Sequence, residues 1–126
     1  MKTQDDINLI TRSIIGCAFE IGTELGIGCA EKIYENALIF EMRSRGLNVE
    51  QQVPLQVFYK GILVGEFIAD VVVEGCVLIE LKAKSAIVEA HVAQCLNYLK
   101  TTGLSSALIL NFGTTRVQTK RVVRNF

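Results

Sequence analysis

Several features that would direct this chain to a membrane, to export or to a zinc site are missing from its sequence. No apolar run reaches the roughly 20 residues needed to span a bilayer. The N-terminal stretch MKTQDDINLI carries acids where an export signal would carry bases. There is a single histidine, His91, and the four cysteines show no C-x-x-C spacing, which argues against a Cys/His zinc site. We therefore expect a cytoplasmic protein whose cysteines are buried and reduced.

The composition that is present favours one folded domain. The chain has 126 residues, half of them hydrophobic, and no linker, repeat or low-complexity stretch divides it. We expect a single domain over residues 1–126. The net charge of zero hides an asymmetry, because residues 1–50 carry eight acids and five bases, and residues 51–126 carry five acids and eight bases. No acid follows Lys100, and such a basic segment either meets phosphate or protects an edge strand.

Hydrophobic periodicity predicts three helices and five strands. The second helix has Ile33, Ala37 and Phe40 on one face, and Pro54 indicates an edge or a bulge in the first strand. The wholly apolar fourth strand is typical of a position buried on both faces. The order α-α-β-β-β-α-β-β predicts a mixed sheet with helices packed on it. The predicted elements span residues 5–22, 30–45, 49–59, 63–73, 77–83, 87–101, 107–112 and 116–124.

Three charged residues lie in the most hydrophobic stretch, FIADVVVEGCVLIELK. Glu80 and Lys82 are two apart on one predicted strand and share a face, whereas Asp70 lies on the preceding strand. The turn at Glu74-Gly75 would place Asp70 opposite Glu80 or close to it. Two opposed carboxylates repel each other, but a bound Mg²⁺ removes that objection, because hard divalent ions prefer oxygen ligands. The alternative interpretation is a cross-strand salt bridge from Lys82 to Asp70 or Glu80.

A metal at this hairpin would give each residue a role. Asp70 and Glu80 would hold the ion, which would lower the pKa of a bound water and neutralise charge that builds on a phosphate. Lys82 would orient the nucleophile or stabilise the transition state.

Two further positions add to this pattern, each with a plain alternative. Gln94 and Tyr98 share a helix face with His91, although Tyr98 could simply cover the core edge. Glu31 opens the second helix after a glycine loop, where an acid also favours the helix dipole.

The segment GIGCAEKIY, from Gly26 to Tyr34, resembles the signature of the GxxExxY proteins, with Gly28, Glu31 and Tyr34 in the named positions. Other short segments also resemble that family, and the resemblance extends over nearly all of residues 10–126. They are RGL (45–47), Q-x-P (52–54), YKG (59–61), AD (69–70), ELKA (80–83), Q-x-x-N-Y-L (94–99) and NFG (111–113). The family is placed in the PD-(D/E)XK nuclease superfamily. The resemblance implies a restriction-endonuclease-like αβββαβ core, with a mixed central sheet flanked by helices.

The resemblance also implies phosphodiester cleavage that depends on Mg²⁺ or Mn²⁺. Ala69 stands where the superfamily name has proline. The residues carried over to the reaction are Asp70, Glu80, Lys82, Gln94 and Tyr98, with Glu31, Asp70 and Glu80 as the metal set.

The implied partner is nucleic acid, DNA ahead of RNA, yet the sequence has no aromatic-rich basic face for stacking bases. Contacts would have to come from the basic C-terminal strand, from Lys84 and Lys100, and from a second subunit. The expected nucleic-acid-binding residues are Lys84, Lys100, Arg116, Lys120, Arg121 and Arg124. Two alternatives to a nuclease stay open, since a fold does not prove activity. One is a non-catalytic nucleic-acid-binding or assembly subunit on the same fold. The other is an interaction module that forms a homodimer, which the apolar strand 107–112 would suit.

Overall fold

The computed structural model describes residues 2–124, and its elements follow the order predicted from the sequence. The largest boundary change is at the first helix, which continues to Leu25 rather than ending at residue 22. The elements are α1 (Gln4–Leu25), α2 (Glu31–Ser44), β1 (Val49–Tyr59), β2 (Ile62–Val73), β3 (Val77–Lys82), α3 (Glu89–Thr102), β4 (Ser106–Asn111) and β5 (Gln118–Val123).

The five strands form one mixed sheet in the order β1-β2-β3-β4-β5. Only β3 and β4 are parallel within the described residues, because α3 crosses over between them, and the other neighbours are antiparallel. Every residue of β4 is buried, which confirms the prediction of a strand covered on both faces. That burial removes residues 107–112 as a dimer surface, so this basis for a homodimer is wrong. The strand β1 lies at an edge, as Pro54 indicated.

Alternation along the strands separates two cores. The larger core lies between α1, α2 and one sheet face, and includes Ile79, Leu81 and Leu108. The smaller core lies against α3 and includes Leu78, Ile109 and, from the helix, Cys95 and Leu99. Glu80 and Lys82 alternate with the larger-core residues of β3 and therefore lie on the α3 side.

The buried face of α2 differs from the one expected. Ile33 is 50% exposed and Phe40 is 75% exposed, so the face that these residues share with Ala37 does not form the core contact. The residues that pack inward are Tyr34, Glu35, Leu38, Ile39 and Met42. The helix carries apolar residues on more than one side, and periodicity alone does not decide which side meets the sheet.

The strand β1 bends at Gln52. This residue has φ of 54° and is skipped in the pairing with β2, between Gln51↔Val71 and Val53↔Ala69. The side chains of Gln51 and Gln52 both contact α2, whereas Val53 packs against the smaller core beside α3. The rest of the β1–β2 hairpin therefore leans toward α3.

The cysteines are all free. Cys17 and Cys95 are buried, and Cys29 and Cys76 are partly buried, which agrees in large part with the expected reduced, buried thiols. Within residues 2–124, no helix has the length and apolar character to cross a membrane.

Candidate metal centre

The β2–β3 hairpin brings Asp70 and Glu80 together. The pairs Val73↔Val77 and Val71↔Ile79 define a register whose next step places Asp70 opposite Glu80. The strands stop pairing at this step, and Asp70 Oδ2 accepts the Leu81 backbone N–H at 2.9 Å instead. The Asp70 carboxylate is thus held where the two strands separate.

Glu80 is a buried carboxylate with one oxygen that nothing satisfies. Glu80 is only 6% exposed, and its Oε1 atom has no hydrogen-bond partner. Burial, reinforced by the charge of Asp70, raises the pKa of Glu80 to about 8. An unsatisfied buried oxygen is costly, so this position favours either a bound cation or a proton.

Burial raises the pKa of Asp70 as well, and the charges of Glu35 and Glu31 act in the same direction. The hydrogen bond from Leu81 partly opposes this shift. Two neighbouring buried carboxyls with raised pKa values are typical of functional sites.

Lys82 lies beside the two carboxylates without an ion pair to either. Its charge lowers the pKa of both Asp70 and Glu80 in part, which places it nearby. Among the ion pairs of residues 2–124, however, none within 4.0 Å joins Lys82 to Asp70 or Glu80. The cross-strand salt bridge considered from the sequence is therefore not what holds this hairpin, and the Lys82 ammonium is left to act on another group.

Glu31 reaches the end of β3 from the first turn of α2. Its Oε2 accepts the backbone N–H of Ala83, the residue after Lys82, at 3.2 Å. This contact places α2 against the hairpin, which the local sequence did not reveal. Glu31 is thus more than a residue that favours the helix dipole, because it also raises the pKa of Asp70 through its charge.

Glu35, one turn after Glu31, was not identified from the sequence. Its residue is 5% exposed, and its carboxylate accepts hydrogen bonds from Lys32 Nζ at 3.0 Å, from Gln52 Nε2 at 3.0 Å and from Gln51 Nε2. Burial raises the pKa of Glu35, but the hydrogen bonds outweigh it and the net pKa is lowered. The sequence signal that could have identified Glu35 is its position four residues after Glu31, on the same face of the helix.

The chemistry of the donor set fits a divalent ion, although the protein alone does not complete a shell. Within residues 2–124, no three His, Cys, Asp or Glu side chains are gathered closely enough to hold a metal. The unpartnered Glu80 oxygen and the adjacent Asp70 are hard oxygen donors of the kind that Mg²⁺ and Mn²⁺ prefer. Water and substrate oxygens would have to complete the coordination.

The residues of α3 differ in how close they lie to the acids. Tyr98 stacks on Phe67 of β2, with ring centroids 3.7 Å apart and planes 14° apart. Burial raises the pKa of Tyr98, and the charge of Glu80 adds to it. Burial likewise raises the pKa of the adjacent Cys95 to about 12. Gln94 is exposed. The stack on Phe67 therefore agrees with a tyrosine that covers the core edge while it faces the Glu80 side of the sheet.

Asn111 and Gly113 hold the segment that follows Lys82. Asn111 Oδ1 accepts the N–H of Lys84 at 2.9 Å, and Asn111 Nδ2 donates to the Lys84 carbonyl at 3.0 Å and to Gln118 Oε1 at 3.0 Å. A Cβ at Gly113 would lie 2.2 Å from the Lys84 carbonyl oxygen, so this position requires glycine. The loop after β3 is therefore clamped by the end of β4.

The basic residues expected at a nucleic-acid surface are dispersed. Arg116 lies over the Phe19 ring of α1, 5.7 Å from its centroid, and Arg121 donates to Asn8 of α1 at 3.3 Å. Ile109 of β4 is paired with Glu80 of β3 on one side and with Lys120 of β5 on the other. Lys120 therefore lies in the same cross-strand row as Glu80, on the α3 side of the sheet.

The remaining basic positions lie at three separate places. Lys84 lies two residues after the end of β3. Lys100 lines a groove with Phe58 near the β1–β2 turn, and the backbone N–H of Arg124 donates to the carbonyl of Ser105. The six positions therefore occupy both sheet faces and do not form one continuous surface.

A mixed five-stranded sheet flanked by helices, with an acidic pair at the end of a hairpin, is the arrangement of restriction-endonuclease-like proteins. The comparisons with known proteins agree. Residues 8–122 match the family model of the PD-(D/E)XK nuclease superfamily, and the chain belongs to this superfamily. No curated protein matches it.

One solved structure that is similar in fold is the crystal structure of SSO0001, with a TM-score of 0.60 and 16% sequence identity. The match covers 75% of this chain and 50% of that chain, so the present chain spans about half the length of SSO0001.

Proposed function

We propose that this protein is a nuclease that hydrolyses phosphodiester bonds of nucleic acid with Mg²⁺ or Mn²⁺, and that residues 1–126 form one domain for this reaction. The observation that supports it most is the buried, unpartnered Glu80 oxygen beside Asp70, in a chain of a nuclease superfamily. The finer assignment to the GxxExxY proteins rests on Gly28, Glu31 and Tyr34.

Each side chain has a definite part in this proposal. Asp70 and Glu80 would hold the ion. Glu31 would join them only if its carboxylate left the Ala83 N–H and moved toward the pair. A bound ion would neutralise charge on the phosphate and lower the pKa of a water. Lys82, which has no ion pair to either acid, orients the attacking water or stabilises the charge that develops on the phosphate. Tyr98 and Gln94 assist from α3.

The substrate contacts follow from the geometry of the basic residues. Lys84 lies two residues after the end of β3, and Lys120 lies in the same cross-strand row as Glu80. We assign to these two lysines the phosphates next to the cleaved bond. Arg116, Arg121, Arg124 and Lys100 contact more distant phosphates or a second strand. We propose DNA as the substrate ahead of RNA, on the strength of the family resemblance alone.

A second candidate is a non-catalytic assembly subunit, which an exposed apolar region favours. The β1–β2 turn and its flanking strands carry large apolar side chains that are more than half exposed. They are Phe58, Tyr59, Ile62, Leu63, Val64 and Ile68. Exposed apolar clusters often mark contacts between proteins.

The deciding experiment is cleavage of single- and double-stranded DNA and RNA by the purified protein with Mg²⁺, with Mn²⁺ and with chelator. Asp70→Ala, Glu80→Ala and Lys82→Ala should each reduce the rate by about 100-fold or more. Lys60→Ala is the matched control for Lys82, because Lys60 lies over the Tyr59 ring at the distant turn.

Each result has a clear meaning. Full activity in Glu80→Ala would reject the nuclease proposal, as would activity that chelator does not affect. Binding of nucleic acid that weakens with salt and persists in Asp70→Ala, with no cleavage by the wild type, would favour the assembly subunit.

A further inference from the structure

The hydroxyl of Tyr34 closes the glycine loop in front of α2. It donates to the carbonyl of Gly26 at 2.5 Å and accepts the backbone N–H of Cys29 at 3.2 Å. Its residue is 1% exposed, and its ring stacks on Phe112 with centroids 4.6 Å and planes 7° apart. One side chain thus ties both ends of the loop 26–29 to the end of β4.

The start of α2 has no side-chain N-cap within residues 2–124. The N-cap residue is Ala30, which makes no side-chain capping bond. A helix start normally needs such a partner for its free N–H groups. Glu31 is the first residue of this helix, and its carboxylate must reach the Ala83 N–H next to Lys82.

We propose that Tyr34 is a positioning residue, whose hydroxyl fixes the glycine loop and thereby holds the Glu31 carboxylate on the Ala83 N–H, at the end of the strand that carries Glu80. This deepens the proposed function and rests on it for its value to the reaction. The contact itself exists independently of any metal. Among residues 2–124 the hydrogen bonds of the Tyr34 hydroxyl go to the backbone of Gly26 and Cys29 and not to a carboxylate, so its effect passes through Glu31.

The loop after β3 is held by two independent contacts, one from α2 and one from β4. Ala83 is held by Glu31 from α2, and Lys84 is held by Asn111 from β4. Phe112, on which Tyr34 stacks, directly follows Asn111. Loss of the Tyr34 hydroxyl should therefore weaken the contact of Glu31 with Ala83 in the loop after β3. The hydrogen bonds of Asn111 with Lys84 in the same loop should remain.

The test is amide hydrogen exchange by NMR on metal-free Tyr34→Phe, which keeps the stacked ring and loses both hydrogen bonds. The Ala83 amide should exchange about fivefold to tenfold faster, as expected for loss of one hydrogen bond, and should match Glu31→Ala. The Leu81 amide, which Asp70 holds, should not change relative to the wild type. Tyr59→Phe, at an exposed tyrosine, is the control.

A merely structural role would accelerate Ala83, Leu81 and the β4 amides together, and that outcome would overturn the proposal. Unchanged exchange at Ala83 would overturn it too. Should Tyr34→Phe not fold, the added change Ala30→Ser supplies an N-cap, and the same comparison is made against Ala30→Ser alone.

Mn²⁺ affinity gives a second readout through a double-mutant cycle. Tyr34→Phe should weaken binding about fivefold in the wild-type background and not at all in the Glu31→Ala background. Equal losses in both backgrounds would contradict the link to Glu31. A wild type that binds no Mn²⁺ would count against the proposed function, whereas the Ala83 exchange result would still decide the role of Tyr34.

Discussion

Asp70 and Glu80 lie opposite each other at the step where β2 and β3 stop pairing. The Asp70 carboxylate, rather than a strand carbonyl, accepts the backbone N–H of Leu81 there. Glu80 is left buried with an unpartnered oxygen. The hairpin therefore holds two acids whose charges would repel each other, so that the apo protein keeps Glu80 protonated up to a pH of about 8 and a cation would take the place of that proton. This relationship makes stability, ionisation and metal binding depend on one another.

Glu80 should make the metal-free protein less stable as the pH rises. Its folded pKa is about 8 against an ordinary value of 4.5, so the folded chain keeps a proton that the unfolded chain loses. The stability is full below about pH 4.5 and is lost as the pH rises to about 8. The slope from this group is at most about 1.4 kcal/mol per pH unit. In urea unfolding with chelator, the stability of Glu80→Gln relative to the wild type should increase as the pH rises from about 4.5 to about 8.

Mg²⁺ or Mn²⁺ should restore the stability of the wild type at high pH and leave Glu80→Gln unaffected. A parallel pH dependence in both proteins would contradict the assignment. Glu66→Gln, an exposed change on β2, is the control.

Asp70→Asn should cost the metal-free fold less than about 1 kcal/mol, or stabilise it, because the amide oxygen can still accept the Leu81 N–H and the repulsion of Glu80 is relieved. Asp70→Ala also removes the acceptor and should cost about 1–3 kcal/mol. Thermal melts of the pair measure the difference. Equal, large losses in both variants would show that the Asp70 charge stabilises the fold. Titration calorimetry should show loss of metal binding in both.

Glu35→Gln should cost roughly 1–3 kcal/mol, because a glutamine amide would bring one donor group against the donors of Gln51 and Gln52. It should also lower the pKa of Asp70, since the charge of Glu35 contributes to raising it. Carboxyl ¹³C NMR of Asp70 and urea unfolding test both effects. Glu50→Gln, at an exposed position on β1, should change neither. An unchanged Asp70 titration in Glu35→Gln would refute the electrostatic link.

Gly113→Ala should destabilise the protein by about 1–3 kcal/mol or more, since the new Cβ would meet the Lys84 backbone, which is held by Asn111. Gly65→Ala is the matched control, because no atom lies within 4 Å of its added Cβ and the change should stay within about 0.5 kcal/mol. Chemical denaturation compares them. Similar midpoints for the two variants would contradict the clamp.

The parts of the fold and site that were predicted correctly depend on short stretches of chain. The hairpin from Asp70 to Glu80 closes over a short turn, so counting outward from Glu74-Gly75 places the two acids opposite each other. Period 2 in β3 puts Leu81 in the core and leaves Glu80 and Lys82 on the other face. The apolar run of β4 likewise indicated its internal position.

The parts that were missed depend on how distant elements dock. Glu35 is satisfied by two glutamines on β1, 16 and 17 residues away, and only because β1 bends at Gln52. The same docking turns Phe40 outward, and a helix with apolar residues on several sides gives no warning of this.

The sequence by itself determined the order of the elements, the opposition of Asp70 and Glu80, and the face shared by Glu80 and Lys82. Local periodicity and a short turn are sufficient for these features. The tertiary structure alone decided that Glu31 meets Ala83, that Glu35 is buried against two glutamines of β1, that Tyr34 closes the glycine loop and that the basic residues are dispersed. Their physical reason is the packing of α2 and the sheet, where side chains far apart in the chain compete for one buried volume.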